Sequence, residues 1–261
     1  MHEPLPIPHS VAAQFKDWAV TFEYSYGPET STWQLNRDQK TRYLKVARLG
    51  WEPSLSQECD RMHWASSWLP VPKVLDYGRE EGVEWLLTEA LPGVVAVQEE
   101  LMGDPASLVP ILAEGLRTFH ETPIQNCPFD FRLDQALAHV RARVNAGLVD
   151  PINDFHPEHE HFNPQEAFKE LEATVPATED VVLCHGDYCL PNVLIKAGRV
   201  SGFVDLGELG LADRWWDLAV ATWSLTWNLG PGWEDLFLEA YKIDVDLERI
   251  RYFRLLYDLT S

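Results

Sequence analysis

Residues 181–210, VVLCHGDYCLPNVLIKAGRVSGFVDLGELG, constrain this chain more than any other stretch. An apolar run, Val181-Val182-Leu183, leads into His185-Gly186-Asp187, and Asn192 follows five residues past Asp187. Two strand-like segments, Val193–Ile195 and Val200–Val204, turn back on each other at Ala197-Gly198. The second ends at Asp205, with Gly207 just behind it. Asp187, Asn192 and Asp205 thus stand at the ends of short paired strands, a layout that brings three oxygen-bearing side chains to one point. Hard cations such as Mg²⁺ take oxygen ligands and sit between carboxylates and substrate phosphates. For either Asp alone, a capped turn is the plain reading. The ordered set His-Gly-Asp-x4-Asn-x12-Asp-x-Gly points instead to phosphotransfer.

Protein kinases use the same logic. An Asp accepts the proton of the acceptor hydroxyl, an Asn five residues on holds metal, and a later Asp-x-Gly holds more. On that reading Asp187 is catalytic, and Asn192 and Asp205 are metal ligands. Such a site needs a lysine for the nucleotide phosphates. Lys45 projects from Thr41–Ala47, which alternates as a strand should, although a strand lysine as readily faces solvent. The helix expected over Ser54–Ser67 carries Glu58, a permitted partner for Lys45. Neither GxGxxG nor GxxxxGK[ST] occurs. The phosphate-covering turn then falls at Gly27–Thr32, where Ser31, Thr32 and backbone N–H groups stand in for glycines. The strand expected over Val83–Leu91 runs into Pro92-Gly93, a hinge signal. The expected division is an N-lobe, residues 1–92, that binds nucleotide, and a C-lobe, residues 93–261, with the catalytic loop and acceptor pocket.

Charge and composition narrow the partners. Asp plus Glu number 41 against 21 Lys plus Arg, a formal −20. Phosphate backbones demand clustered positive charge, so nucleic acid is not an expected partner. A cationic small molecule would be drawn in. No run approaches the roughly 18 apolar residues of a membrane span, and Met1-His2-Glu3-Pro4 has neither the basic nor the apolar region of a signal peptide. Cys59, Cys127, Cys184 and Cys189 lack CxxC spacing and read as reduced thiols. The expectation is a cytoplasmic enzyme, monomeric or weakly dimeric.

The first ten residues hold three prolines and read as an irregular arm. Helical spacing covers Val11–Trp18, Leu108–His120, Leu133–Ala146, Pro164–Ala173 and a segment from Leu211 to about Asn228. The tract Asp150 to His161 is acidic and rich in histidine. Three readings stand for it: a metal site at His156, His159 and His161, a solvated loop, or a carboxylate wall facing a cation. Asp217 is an acid among apolar neighbours, and burying it requires hydrogen bonds; the catalytic-loop backbone is the expected donor. Trp223 and Trp227 share a helical face, as core or as a substrate-facing wall.

With these segments in view, the chain resembles the aminoglycoside phosphotransferases, most closely the 3′-phosphotransferases of the kanamycin and neomycin kind. The resemblance rests on VVLCHGDYCLPNVLI, GRVSGFVDLGELGLADRWWDLA, EWLLTEALPG, CPFD, AGLVD and FRLLYD, and runs from about residue 15 to the end. It implies an α+β, protein-kinase-like two-lobe fold, with an antiparallel N-lobe sheet plus helix and a mainly helical C-lobe. It implies ATP (GTP being possible) and Mg²⁺ as cofactors, and transfer to a hydroxyl of an aminoglycoside, with antibiotic resistance as the outcome. By position it makes Asp187 catalytic, Asn192 and Asp205 the Mg²⁺ ligands, and Lys45 the phosphate-binding lysine with Glu58 its partner. Tyr43 would stack on adenine, Glu89 and Leu91 supply hinge backbone contacts, and Thr88 line the adenine pocket. Asp154, Glu158 and Asp258 would bind substrate amines.

The departures from the family pattern collect around the acceptor. His156 and Pro157 replace expected acids, Glu208 replaces an Arg, Trp223-Ser224 replaces an Arg-Asp pair, and Tyr257 precedes Asp258 where another acid is common. Glu208 and Trp223 therefore join the candidate acceptor residues. Two other functions compete: a kinase of another small hydroxylated metabolite, and a nucleotide-binding pseudokinase. The acidic loop argues against the first, and the complete set Lys45, Asp187, Asn192 and Asp205 against the second.

Overall fold

The computed structural model describes residues 3–260. Its contacts divide into two compact units. The first holds the residues up to Gly93 together with Ser201–Glu208; the second holds Val94–Val200 and the residues from Leu209 onward. A single cut at residues 92/93 does not describe this division, because the chain returns to the first unit for the segment that contains Asp205 and Glu208.

The first unit comprises α1 (His9–Gln14), β1 (Ala19–Tyr24), β2 (Thr30–Arg37), β3 (Lys40–Arg48), α2 (Leu55–Ala65), β4 (Val74–Glu80) and β5 (Val83–Glu89). The strands form one antiparallel sheet in the order β1-β2-β3-β5-β4. Strand side chains alternate between faces, so register decides what lies where. Leu35, Leu44, Val46, Trp85 and Leu87 point to one face, where Leu5, Val11, Phe15 and Trp18 bury them. The proline-rich arm is therefore part of the core rather than merely irregular. Prolines keep it extended, but the Leu5 N–H donates to Ser31 Oγ (2.7 Å) and its carbonyl accepts from Trp33 Nε1 (3.1 Å). Helix α2 covers the other face. Ser54 and Gln57 close a capping box at its start. The buried Glu84 carboxylate takes the Leu55 N–H at 2.7 Å and the Tyr77 hydroxyl at 2.9 Å, fastening the helix to β5.

The second unit comprises β6 (Val94–Val95), α3 (Glu99–Met102), α4 (Pro105–His120), α5 (Leu133–Ala146), α6 (Pro164–Ala173), β7 (Val181–Cys184), β8 (Val193–Lys196), the start of β9 (Arg199–Phe203), β10 (Gly210–Asp213), α7 (Trp215–Leu229), α8 (Glu234–Tyr241) and α9 (Leu247–Thr260). Helices α5 and α6 have the bounds their spacing predicts. Gly147 ends α5 with φ of 67°, the left-handed conformation that glycine adopts without penalty. Helix α7 is apolar on nearly all sides and is the central element, packed against α8 and α9. Strand β7 pairs with β10, Cys184 opposite Gly210 and Val181 opposite Asp213, and β8 pairs with β6. Buried Asp213 accepts from Arg249 Nη1 (2.6 Å) and from the Trp215 and Asp180 N–H groups (3.0 Å each), joining α9, α7 and the entry to β7. No described helix is long and apolar enough to cross a membrane.

The placement of the arm is directly testable. Leu5→Ala should lower stability by about 2–3 kcal/mol in urea unfolding. A loss below about 0.5 kcal/mol, the range of ordinary surface changes, would remove the arm from the core.

Candidate active site

In the first unit the site forms around Lys45 on β3. Ladder register puts Thr32 opposite Lys45, Gln34 opposite Tyr43, Leu86 opposite Lys45 and Thr88 opposite Tyr43. Directly paired residues share a face, so Thr32, Tyr43, Lys45 and Thr88 all stand on the α2 side of the sheet. Gln34 Nε2 donates to the Tyr43 hydroxyl at 3.0 Å. Lys45 Nζ lies 2.9 Å from Glu58 Oε2 and 2.7 Å from Asp205 Oδ1. Burial works against the ammonium, but the Asp205 and Glu58 carboxylates outweigh it and hold its pKa well above the ordinary lysine value. The lysine is thus a fixed positive charge. Asp205 adopts φ of 60°, a left-handed conformation that Asp tolerates better than most residues.

The turn before β2 differs from its expected form. Ser31 is fully buried on the opposite face from Lys45, and its hydroxyl is engaged by Leu5 N–H and Thr30 O. A one-residue step along a strand reverses the side chain, so Ser31 cannot serve the site while Thr32 can. Thr30 closes the turn: its Oγ1 accepts from the Tyr26 N–H at 3.1 Å and donates to the Tyr26 carbonyl at 3.3 Å. Glu89 lies opposite Arg42 at the exposed end of β5, its N–H bonded to Lys73 O at 3.0 Å; Leu91 follows, half-buried. Glu208 is half-buried at the end of the segment that groups with this unit.

In the second unit β7 delivers the His185-Gly186-Asp187 turn, and α7 grips it. Asp217, buried in the first turn of α7, accepts from the His185 N–H (2.7 Å) and the Gly186 N–H (2.9 Å). Trp216 Nε1 donates to Gly186 O (2.8 Å), and Ser224 Oγ accepts from the Leu190 N–H (2.9 Å). Gly186 turns the chain with φ of 90°, which a side chain would strain. The loop-backbone role expected of Asp217 is therefore what the structure shows. Behind it, His120 Nε2 donates to Asp217 Oδ2 (3.0 Å), so His120 Nδ1 accepts from the Tyr241 hydroxyl (2.7 Å), which accepts from Arg214 Nη1 (3.0 Å). Burial pushes the Tyr241 hydroxyl up to about 12, so it remains a donor. His120, Cys184 and Asp217 have the proximity of a metal site, but these hydrogen bonds already occupy both ring nitrogens and the carboxylate.

The held loop presents Asp187. Asn192 Nδ2 donates to Asp187 Oδ2 at 2.8 Å and to its carbonyl at 3.0 Å, while the Tyr257 hydroxyl donates to Oδ1 at 3.2 Å. These bonds commit the amide nitrogen of Asn192 and leave its side-chain oxygen as the remaining polar atom. Asn192 and Asp205 each carry a side-chain oxygen, the donor type that hard divalent cations prefer.

The acidic tract folds as turns, and two of its acids already have cationic neighbours from flanking helices. Asp154 accepts the Asp150 N–H at 2.8 Å and lies 3.8 Å from Arg143 Nη2; burial pushes its carboxyl up. Glu158 pairs with Arg254 at 3.4 Å. Asp258 exposes nothing: its oxygens take His156 Nδ1 (2.5 Å), His159 Nδ1 (2.7 Å) and the His156 N–H (3.0 Å). Burial would raise its pKa, but the His156 and His159 hydrogen bonds outweigh it and hold the carboxyl below the ordinary range. The expected direct contact of Asp258 with a substrate amine is thereby corrected, since no oxygen reaches solvent. The metal reading of the three histidines fails too. Two donate to one acid, the third packs on Phe162 with ring centroids 4.0 Å apart, and no described metal-capable group includes them. Trp223 stacks on His156 at 3.7 Å, with Arg254 5.1 Å over its ring, and Trp227, 72% exposed, meets His156 edge-on at 5.1 Å. Sequence reasoning missed Glu84, Thr30, His120 and Tyr257. Only Tyr257 left a signal, as a departure beside Asp258.

A lysine held by two carboxylates and a clamped Asp-x4-Asn loop are the parts of a phosphotransferase. The model of the phosphotransferase enzyme family matches residues 24–253. The chain belongs to this family, among the aminoglycoside phosphotransferases. An aminoglycoside 3′-phosphotransferase of Streptomyces fradiae is 38% identical over 249 residues, covering 91% of this chain and 90% of that protein. One from Niallia circulans is 38% identical over 213 residues, covering 81% and 80%. The crystal structure of an aminoglycoside-3′-phosphotransferase of type VIII superposes with a TM-score of 0.86 at 29% identity, covering 96% of each chain. An aminoglycoside phosphotransferase of Streptomyces rimosus, solved with ADP and streptomycin, gives 0.79 at 30% identity, again over 96% of each. The fold is accordingly α+β and kinase-like.

Two outcomes follow from the buried acids. Asp217→Asn leaves one loop N–H facing an amide and should cost about 2–4 kcal/mol of stability, together with most of the turnover. Thermal unfolding and rate measurements check both, and an unchanged melting temperature would refute the clamp. For Asp258 the folded pKa is depressed, so its contribution is complete above the unfolded value near about 3.9 and fades as pH falls through the lower folded value. Asp258→Asn should therefore be less stable than wild type at pH 7, with the gap closing only below about pH 4. Urea unfolding across pH tests this, and a gap that closes at neutral pH would contradict it.

Proposed function

We propose that this protein transfers the γ-phosphoryl group of ATP to a hydroxyl of an aminoglycoside antibiotic, at the 3′ position, and so confers resistance. The observation that carries the reading is the Asp187 carboxylate. Its loop backbone is fixed by Asp217, and its oxygens accept from the neutral donors Asn192 and Tyr257. An acceptor hydroxyl hydrogen-bonded to Asp187 is oriented for attack and loses its proton to that carboxylate as the bond to phosphorus forms. Catalysis of this kind is chiefly positioning and electrostatics.

Lys45, held charged by Asp205 and Glu58, offers its ammonium to the nucleotide phosphates. Tyr43 and Thr88, on the same sheet face, line the adenine side with Thr32 nearby, and Glu89 and Leu91 offer backbone groups beyond β5. Asn192 and Asp205 would hold Mg²⁺, which neutralises charge on the phosphates when bound. The 38% identity to aminoglycoside 3′-phosphotransferases over nine-tenths of the chain supports the acceptor class and position. The formal charge of −20 suits a polycationic substrate. A phosphate ester places negative charge on a drug that binds RNA through positive charge, which weakens that binding.

Asp187→Ala should reduce turnover about 10²–10⁴-fold while the KM for ATP changes less than about threefold; a coupled ADP-release assay measures both. Near-normal turnover in that variant would overturn the mechanism. A sensitive host expressing the chain should gain resistance, with mass spectrometry placing one phosphate on the 3′ oxygen. Absence of protection against every aminoglycoside would remove resistance from the reading and leave phosphotransfer.

A further inference from the structure

An acid that holds a substrate amine must expose an oxygen, and Asp258 exposes none. A carboxylate accepts and does not donate, so both histidines carry their proton on Nδ1, facing Asp258. In the neutral ring the opposite nitrogen, Nε2, is then a hydrogen-bond acceptor. In His159 that nitrogen lies 3.7 Å from Glu158 Oε1. In His156 it has no partner among the described residues and is not among the buried unsatisfied polar atoms, so it is open to solvent. The ring cannot turn freely. Its Nδ1 and its own backbone N–H are both tied to Asp258, one face lies on Trp223 at 3.7 Å, and Trp227 flanks it at 5.1 Å. Tyr257, whose hydroxyl touches Asp187 Oδ1, is the next ring along, 6.2 Å away. A single orientation-locked acceptor thus stands one side chain from the candidate base.

We propose that His156, not Asp258, meets the acceptor substrate, presenting Nε2 to an ammonium or a hydroxyl of the sugar within a wall of Trp223, Trp227 and Tyr257. The assignment rests on the aminoglycoside reading above and deepens it. A carboxylate favours an ammonium over a hydroxyl through the charge-assisted bond. When its ring is neutral, the His156 nitrogen accepts from either with a smaller difference. The acceptor class is therefore an aminoglycoside whose donor at this position is an amine or a hydroxyl, recognised by one hydrogen bond and by contact of the ring face with indole.

The test uses neomycin and paromomycin, which differ by an amine against a hydroxyl at one carbon. The wild-type enzyme should turn over both, with kcat/KM values within about fivefold. His156→Phe keeps the stack but removes Nε2 and the Nδ1–H bond to Asp258, whereas His156→Asn keeps an N–H donor for Asp258 and lacks Nε2; both should raise KM for both acceptors about tenfold while KM for ATP stays within about twofold. A preference for neomycin above about fivefold in the wild type would show an exposed carboxylate reading the amine and overturn the assignment, and needs no variant. An acceptor KM in His156→Phe within about twofold of wild type would overturn it as well. No turnover of either antibiotic by the wild type would instead defeat the aminoglycoside reading, and the assignment with it.

Discussion

The pair of hydrogen bonds from the His185 and Gly186 N–H groups to one buried carboxylate fixes everything this molecule does at its catalytic loop. Asp217 is an expensive residue to bury, and it is stable only because donors surround it: two backbone amides in front and the imidazole of His120 behind. The arrangement is reciprocal. The loop gives the acid its partners, and the acid gives the loop a shape that no strand or helix supplies. Trp216 and Ser224, one residue before and seven after Asp217, hold the loop carbonyl of Gly186 and the N–H of Leu190. Helix α7 is thus a jig as much as a core element.

The first unit solves a different problem, the fixing of a charge. Lys45 is set by strand alternation, Glu58 by the docking of α2, and that docking depends on Glu84, which accepts from the helix's first N–H. The N-terminal arm seals the opposite face. Each element has one task here, and the alternation along β2 and β3 assigns the tasks: Leu35, Leu44 and Val46 to the core, Thr32, Tyr43 and Lys45 to the site.

Much of this was legible in the sequence because it depends on periodicity and short-range order. The helices over 133–146 and 164–173, the strand bearing Lys45 and the His-Gly-Asp loop all follow from local pattern. So does the need of Asp217 for donors, since its position among apolar residues foretells burial. What was not legible depends on partners distant along the chain. Asp258 reads as an amine-binding acid until His156 and His159, about a hundred residues away, are seen to occupy it. Ser31 reads as a phosphate ligand until register puts it on the wrong face with Leu5. The composition of the acidic tract does not show that Arg143 and Arg254 already answer two of its charges.

Residues on α7 serve two masters without conflict. Asp217 and Ser224, two turns apart, face the loop; Trp223 and Trp227, a turn apart, face the histidines. A step of about 100° per residue separates the two faces. The consequence is evolutionary. Under the proposed assignment, residues that meet the acceptor are free to vary, while the face that holds the loop stays under the constraint of a buried charge. On that assignment a change of acceptor could involve one side of the helix and leave the loop-holding side as it is.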